Sequence, residues 1–326
     1  MPDVRPLARL LRGVGLKHQA IMTISDAGFQ VSVDDHHTLS AIAYIPCNIF
    51  KQFAYTSDHA EIGLEIDLDT LLQCLNIFGN AGTSGNAPVG DRKRRRWAGD
   101  AEEGAEVVEE EWRKRGKERV TGMRMSWKGH GDPLQILLSD EAKGPMTTCE
   151  MYPSEPEDEV VEHEFDEEKN VLYLIMNSQW LRDALLDLPP SCSRITLLAS
   201  PADTDEMGNI ARATASSEKR HQQRSDLGTF SIRAAGDFGQ TELDYPNDKE
   251  VMDRFVCEER VSFSYHYSHF TALTRALHGS TKSCLQIQDN GLLDIQIMMP
   301  LETNVPLGEM SGILEFKMLA LDDDEE

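Results

Sequence analysis

The chain has 326 residues, of which 40% are hydrophobic, and its formal net charge is −24. This length predicts two domains, each large enough to bury a core of its own. No apolar run approaches the roughly 18 residues of a membrane span, and the N-terminus lacks the charged start and apolar stretch of a secretory signal, so we expect no membrane partner.

The six cysteines lie far apart, without a C-x-x-C pair, and most of them fall in apolar segments. This pattern favours reduced, buried thiols over a disulfide framework or a zinc site. The excess of acid argues against a polyanionic partner such as DNA, because net repulsion opposes approach. The acidic residues are concentrated in residues 102–111, 155–168 and 322–326, however, so the charge on each helix face decides the question.

The first unit is a short amphipathic helix followed by a hairpin. At 100° per residue its leucines share one side, and the other side carries a stripe of arginines with no acidic residue among them: Arg5, Arg9 and Arg12. The next segment, ISDAGFQVSV (residues 24–33), alternates apolar and polar residues around an Asp-X-Gly turn and predicts a β-hairpin.

The second unit repeats this order. LDTLLQCLNIFG (residues 68–79) predicts a helix with a neutral polar face, and Asp67 and Asp69 stand where carboxylates cap a first turn. MRMSWKGHGDPLQILL (residues 123–138) predicts the hairpin that follows, with turn residues between two strand-like runs.

The third unit has the helix SQWLRDALLDLPP (residues 178–190), which ends at its two prolines and mixes Arg182 with Asp183 and Asp187 on its polar face. RITLLAS and GTFSIRAAG are its strands. The fourth unit has a helix around residues 268–282, where Arg275 and Lys282 lie together without a carboxylate. IQDNGLLDIQI (residues 287–297) then repeats the hairpin of the first unit. Four such units, two before and two after an acidic linker, indicate a tandem duplication.

We therefore expect two similar domains, residues 1–151 and 170–321, joined by an acidic connector, residues 152–169. An acidic tail, residues 322–326, ends the chain. Residues 80–120 and 202–226 are polar and nearly free of strand formers, and we expect them to be disordered insertions.

The basic stripes have two interpretations. For one helix alone, an ordinary solvated face is the simpler explanation. Two uninterrupted stripes at equivalent positions of a repeat, in a chain short of base elsewhere, favour one surface that faces a polyanion.

A family resemblance extends over nearly the whole chain outside the two insertions. It is carried by TISDAGFQVSVDD followed by AIAYIPCNIFKQF, by IDLDTLLQCLNIFG, by MRMSWKGHGDPLQILL with TTCEMYPSEPEDE, and by FSIRAAGDFGQTELDYPND. In order and spacing the chain resembles the sliding-clamp superfamily of proliferating cell nuclear antigen, and within it the Rad-one subunits of the heterotrimeric DNA-damage checkpoint clamp, the nine-one-one ring. Members usually have an opening strand before the first helix, whereas this chain has MPDVRPL, so either the start is misassigned or the first sheet lacks a strand.

The resemblance implies an α+β DNA-clamp fold, with two similar domains, antiparallel sheets outside and helices lining the interior of a ring. It implies a non-catalytic nuclear protein that joins two homologous clamp subunits around double-stranded DNA, without sequence specificity and without a cofactor. Checkpoint and repair proteins would be its clients, and an ATP-driven clamp loader would be a separate protein, since no phosphate-binding loop is present. The DNA-facing residues would be Arg5, Arg9, Arg12, Lys17, Arg182, Arg275 and Lys282.

Clamps bind client peptides between the connector, the loop after the second strand and the C-terminal tail. The matching residues are Val33, Val160, Val161, Phe165, Met318 and Leu319, and ordinary packing is the alternative for each of them. A run of five basic residues resembles a nuclear import signal, with a solubilising charge run as the alternative: Arg92, Lys93, Arg94, Arg95 and Arg96.

The competing function is a 3′–5′ exonuclease, a chemistry sometimes described for this family. Such chemistry normally needs converging carboxylates that hold two metal ions, and the carboxylates here lie mainly in the connector, an insertion and the tail. His266 and His269 form an H-x-x-H pair without a third ligand nearby in the sequence, a weak metal signal. The sequence therefore favours a clamp subunit over an enzyme.

Overall fold

The computed structural model describes residues 1–79, 81, 120–140, 144–156, 163–189, 191–202, 228–236, 239–301 and 311–322. The two predicted insertions, apart from residues 81, 120 and 202, lie outside the described residues, as do residues 157–162 of the connector. None of the described helices is long and apolar enough to cross a membrane.

The N-terminal half, residues 1–151, contains two helices and seven strands among its described residues. In chain order they are α1 (Arg5–Gly13), β1 (Gln19–Ser25), β2 (Gly28–Asp35), β3 (Leu39–Pro46), β4 (Ile62–Asp67), α2 (Leu68–Leu75), β5 (Thr121–Ser126), β6 (Leu134–Asp140) and β7 (Met146–Met151).

The C-terminal half, residues 170–321, follows the same alternation. Its elements are β8 (Asn170–Asn177), α3 (Ser178–Asp187), β9 (Cys192–Ser200), β10 (Thr229–Gly236), β11 (Gly239–Pro246), β12 (Met252–Cys257), β13 (Val261–His266), α4 (Tyr267–Leu277), β14 (Lys282–Gln288), β15 (Leu293–Pro300) and β16 (Ser311–Met318). The predicted order of a helix followed by two strands appears four times, as α1-β1-β2, α2-β5-β6, α3-β9-β10 and α4-β14-β15.

The described strands form three antiparallel sheets. The largest has nine strands in the order β12-β8-β14-β15-β16-β3-β2-β1-β4, and the others are β11-β10-β9-β13 and β5-β6-β7. The pairing of β16 with β3, from Met318↔Leu39 to Ile313↔Tyr44, joins the two halves in one sheet. The protein is therefore sheet-rich with few helices, as the α+β prediction states.

Helices cover one face of the nine-stranded sheet. A Cβ added to Gly312 of β16 would collide with Leu10 of α1, so α1 lies directly on that strand. Two strands away, the buried hydroxyls of Ser178 in α3 and Ser283 in β14 are 2.8 Å apart. Ser283 and Gly312 lie on the same face, because β14, β15 and β16 pair through Ser283↔Ile297 and Met299↔Gly312.

The repeated Asp-X-Gly hairpins are confirmed, and both glycines have positive φ angles. Gly28 has φ 143° and Gly291 has φ 82°, backbone conformations that side chains other than glycine rarely adopt. A Cβ on Gly28 would also strike the carbonyl oxygen of Ile45, and a Cβ on Gly291 would lie 2.7 Å from Phe263. The two hairpins thus share their turn residue for the same physical reason.

Two predicted helix ends are wrong. Helix α2 ends at Leu75, and α4 ends at Leu277, where the structure turns through Gly279, whose φ is 93°. Lys282 is consequently the first residue of β14 and not part of the helix face.

The segment before α1 makes sheet-like contacts although it is not a strand. The backbone N–H of Met123 donates to Met1 at 2.9 Å, and the N–H of Val4 donates to Thr121 at 3.0 Å. These hydrogen bonds cover part of the β5 edge, at the position where the family resemblance implies an opening strand.

Candidate nucleic-acid interface

The four described helices pack in the order α2-α1-α4-α3, so the row of helices crosses from one half to the other. At Gly13, α1 lies against both α4 and β16: a Cβ there would make an ordinary contact of 3.6 Å with the Cβ of Ala276 and would collide with Leu314. We call the place where α1 packs on α4 and β16 pairs with β3 the seam.

Arginines from both helices meet at the seam. The Nη1 of Arg275 in α4 donates to the carbonyl oxygen of Gly15, just after α1, at 3.3 Å. In the opposite direction, Arg9 of α1 packs beside Gly279, just after α4, with its Cδ 3.8 Å from a Cβ built there. An arginine of each helix therefore contacts the backbone just after the C-terminal end of the other helix.

Arg12 completes this group. It is half-buried in the last turn of α1. Burial, and then the neighbouring charge of Arg9, lowers the pKa of Arg12 from its ordinary value. We call Arg9, Arg12 and Arg275 the seam arginines; within the part of the chain that the structure describes, none of the three forms an ion pair with a carboxylate.

The other four predicted DNA-facing residues are ion-paired within the chain. The pairs are Arg5 with Asp3 at 2.8 Å, Lys17 with Asp35 at 3.4 Å, Arg182 with Asp183 at 2.9 Å and Lys282 with Asp253 at 2.6 Å. Arg5 is therefore paired with a carboxylate, although α1 itself carries no acidic residue. Asp3 lies before the helix, where the helical period does not apply.

Helix α3 differs from α1 and α4 in its exposed face. Trp180 and Leu186 are 44% and 65% exposed, and Asp183 and Asp187 lie on the same helix.

Helix α2 has the predicted N-cap, because the N–H of Thr70 donates to Asp67 at 2.6 Å. The exposed side chains of α2 and α3 are thus acidic, apolar or neutral.

The three segments of the predicted partner pocket do come together. The N–H of Leu319 in the tail donates to Thr38 in the β2–β3 loop at 3.0 Å, and Nε2 of His163 in the connector lies 3.1 Å from the carbonyl oxygen of His37. Leu319 is 38% exposed and Phe165 is half-buried, so both can contact another molecule.

Two of the predicted pocket residues belong to the core instead. Val33 is 1% exposed and Met318 is fully buried, because their strands bury alternate side chains under the helices. Val160 and Val161 lie outside the described residues, as do the basic residues Arg92 to Arg96.

The sequence reading missed a polar group on the other face of the seam. The hydroxyl of Tyr44 donates to Glu315 at 2.6 Å, and Glu315 lies 3.7 Å from Lys317. Asp294 opposes Lys317 in the β15–β16 register and is almost fully buried, and one of its carboxyl oxygens has no hydrogen-bond partner among the described residues. The alternation in LLDIQI signalled that Asp294 faces away from the helices, but not that its surroundings bury it.

Among the described residues, no group of three or more His, Cys, Asp or Glu is arranged to hold a metal ion. His269 is buried and its Nε2 lies 3.5 Å from the hydroxyl of Thr38. Burial, followed by the charge of His266, lowers the pKa of His269 from its ordinary value. Both observations fit a packed histidine better than a ligand.

A comparison with known protein families shows to which family the chain belongs. The model of the family described as "Repair protein Rad1/Rec1/Rad17" matches residues 2–299. The chain belongs to this family. Within the Rad1/Rec1/Rad17 family, the "Cell cycle checkpoint protein RAD1" of Mus musculus is 24% identical over 299 residues, covering 92% of this chain and 85% of the mouse protein.

Two fungal relatives carry different names. The "DNA damage checkpoint control protein rad1" of Schizosaccharomyces pombe is 27% identical over 91% of this chain and 79% of its own length. The "DNA repair exonuclease REC1" of Mycosarcoma maydis is 23% identical over 92% of this chain and 87% of its own length. The names of these Rad1/Rec1/Rad17 relatives thus include both a checkpoint protein and an exonuclease.

Proposed function

We propose that this protein is a non-catalytic subunit of a heterotrimeric ring clamp that encircles DNA at damage sites and recruits checkpoint and repair proteins in the nucleus. The two halves, residues 1–151 and 170–321, are its two clamp domains, with residues 152–169 as the connector. The observation that carries the proposal is the meeting of the seam arginines on helices that cover one face of a sheet running through both halves.

The charge distribution supports this function. A net charge of −24 opposes contact with phosphates over most of the surface. Cations without carboxylate partners at the seam provide local attraction, and contacts limited to phosphates let a ring slide without reading sequence.

The sheet edges support the assembly. The sheet β5-β6-β7 ends in β7 and the sheet β11-β10-β9-β13 ends in β11, and both edge strands are largely exposed. Met146, in β7, and Tyr152, just after it, are 70% and 76% exposed. An exposed strand edge is suited to pairing with another chain, and the exposed apolar side chains at β7 favour burial there, so we assign β7 and β11 to the contacts with two homologous subunits.

Client proteins would dock where the connector, the β2–β3 loop and the C-terminal tail meet. Phe165 and Leu319 are the described residues of the predicted pocket that can take part, and Tyr44 and Ile313 add exposed apolar surface.

The experiment that tests encirclement uses DNA topology. The subunit, mixed with its two sister subunits, should give one ring-sized species by native mass measurement. Once loaded onto circular duplex DNA by an ATP-driven loader, the ring should stay bound through a high-salt wash and be lost when the circle is cut. A ring that stays equally well on linear DNA with open ends would contradict encirclement.

The same preparation tests the alternative of a 3′–5′ exonuclease, which the name of the Mycosarcoma maydis relative favours. The DNA should remain full length with magnesium or manganese. Nucleotide release that co-purifies with the chain and disappears when one defined carboxylate is replaced would favour the enzyme.

A further inference from the structure

The seven cations predicted to face DNA are not equivalent. A cation held against a carboxylate offers little net attraction to a phosphate, since the carboxylate cancels its charge and repels the incoming anion. Arg5, Lys17, Arg182 and Lys282 are held in this way. The seam arginines keep their full charge, and they lie in one place because each helix extends an arginine over the end of the other.

The burial of Arg12 strengthens this difference. A half-buried guanidinium has lost part of its hydration, and a second arginine stands one turn away. An anion that reaches both arginines would relieve the repulsion between them. The local dielectric is also lower there than on an open helix face, so each contact gains more.

The neighbouring helix α3 presents a surface that is unfavourable for phosphate binding. α3 packs against α4 and exposes Asp183 and Asp187 beside the apolar Trp180 and Leu186. A phosphate strand that approached α3 would meet two carboxylates of that helix and its one cation, Arg182, which is already paired.

We propose that the seam arginines form a single phosphate-binding site at the junction of the two halves, and that this site, not the whole row of helices, holds the DNA backbone in this subunit. The site takes phosphates of one duplex strand, without base contacts. The DNA therefore runs closer to the seam than to α3. This inference rests on the proposed clamp function and specifies which of its cations act.

The test compares two triple variants of the subunit in the assembled ring. The seam variant is R9Q/R12Q/R275Q, and the matched control R5Q/R182Q/K282Q removes three paired cations and the same formal charge. Binding of a labelled duplex is measured by fluorescence anisotropy over a range of salt concentrations, with ring assembly checked by native mass.

The expected result follows from counterion release. Each lost phosphate contact lowers the slope of log affinity against log salt by about 0.9, so three contacts lower it by about 2.7. Raising salt from about 50 to about 200 mM should then weaken the seam variant about 40-fold less than the wild type. The control variant should follow the wild-type salt dependence within a few-fold.

A further variant separates charge from structure. R9K/R12K/R275K keeps the three charges, so its slope of log affinity against log salt should equal that of the wild type. If the guanidinium groups served only to hold the structure, the slope of this lysine variant would stay as low as that of the glutamine variant. If R12Q prevents folding, R9Q/R275Q alters only exposed residues and should lower the slope by about 1.8.

The outcomes distinguish this site from the clamp function. Equal slopes for the seam and control variants, both lower than the wild type, would overturn the seam site while leaving a DNA-bound ring. A wild-type ring that does not associate with duplex DNA at all would overturn both proposals.

Discussion

Asp294 is a buried carboxyl group on the face of the nine-stranded sheet that the helices do not cover. Gln296 donates to one of its oxygens at 2.9 Å. Burial, and then the nearby charge of Glu315, raises the pKa of Asp294 to about 7, despite the opposing effects of the Gln296 hydrogen bond and of Lys317. Because the folded state holds this proton far above the ordinary value of 3.8, the stability that Asp294 contributes is complete below about pH 4 and is lost as the pH rises through about 7.

Replacing Asp294 by Asn should flatten this pH dependence. The amide keeps a hydrogen-bond acceptor for Gln296 but cannot ionise, so the variant should avoid a loss on the order of 4 kcal/mol in the free energy of unfolding between pH 4 and pH 8. Urea denaturation across this range measures the difference from the wild type. The exposed Asp289→Asn is the control, and an equal change in both variants would contradict the assigned burial of Asp294.

At the scale of elements, the two hairpins β1–β2 and β14–β15 depend on their turn glycines. Both glycines have positive φ and both are crowded: a Cβ on Gly28 would collide with the carbonyl oxygen of Ile45, and a Cβ on Gly291 would lie 2.7 Å from Phe263 and 2.8 Å from Ala320. This turn therefore packs against β13 and the C-terminal tail, which places the tail beside the hairpin.

Gly79 offers a comparison for Gly291, since it has φ 72° and no atom of the described residues lies within 4 Å of a Cβ built there. Gly291→Ala should cost about 3 kcal/mol of unfolding free energy, of which about 1 kcal/mol is backbone strain, and Gly79→Ala should cost only that strain. Thermal or urea denaturation of the two variants measures the gap. Equal losses of unfolding free energy in the two variants would show that Phe263 and Ala320 move aside for the added Cβ without a measurable free-energy cost.

At the scale of the whole molecule, the two halves share a sheet and a core. The β16–β3 pairing and the α1–α4 crossing connect them, and one cluster of buried apolar residues extends through both. Domains joined by a large apolar interface unfold together, unlike domains joined by a linker alone.

We accordingly expect one cooperative unfolding transition. Trp127 reports on the N-terminal half and Trp180 on the C-terminal half, so two variants, each keeping only one of the four tryptophans, can follow the halves separately by fluorescence. Their denaturation midpoints should coincide. Midpoints that differ beyond error would show that the halves unfold independently. Gly13→Val should increase any such difference, because its side chain would collide with Leu314 of β16 and loosen α1 at the seam.

The sequence alone was sufficient for features that depend on neighbouring residues. The period of 3.6 in the leucines of α1 set its buried side, the Asp-X-Gly turns set two hairpins, and Asp67 capped α2, because helix faces, positive φ angles and caps are all decided within a few residues. The four-unit plan of helix and paired strands followed from these local signals.

The tertiary structure decided whatever depends on residues far apart in the chain. Lys282 meets Asp253, Arg275 reaches past α1 to Gly15, and Val33 becomes core, although no local pattern contains these outcomes. A charge acts through its distance to other charges, and folding sets that distance when it closes β16 onto β3. The sequence therefore determined which residues are basic and on which helix they lie, while only the fold determined which of them keep an uncancelled charge.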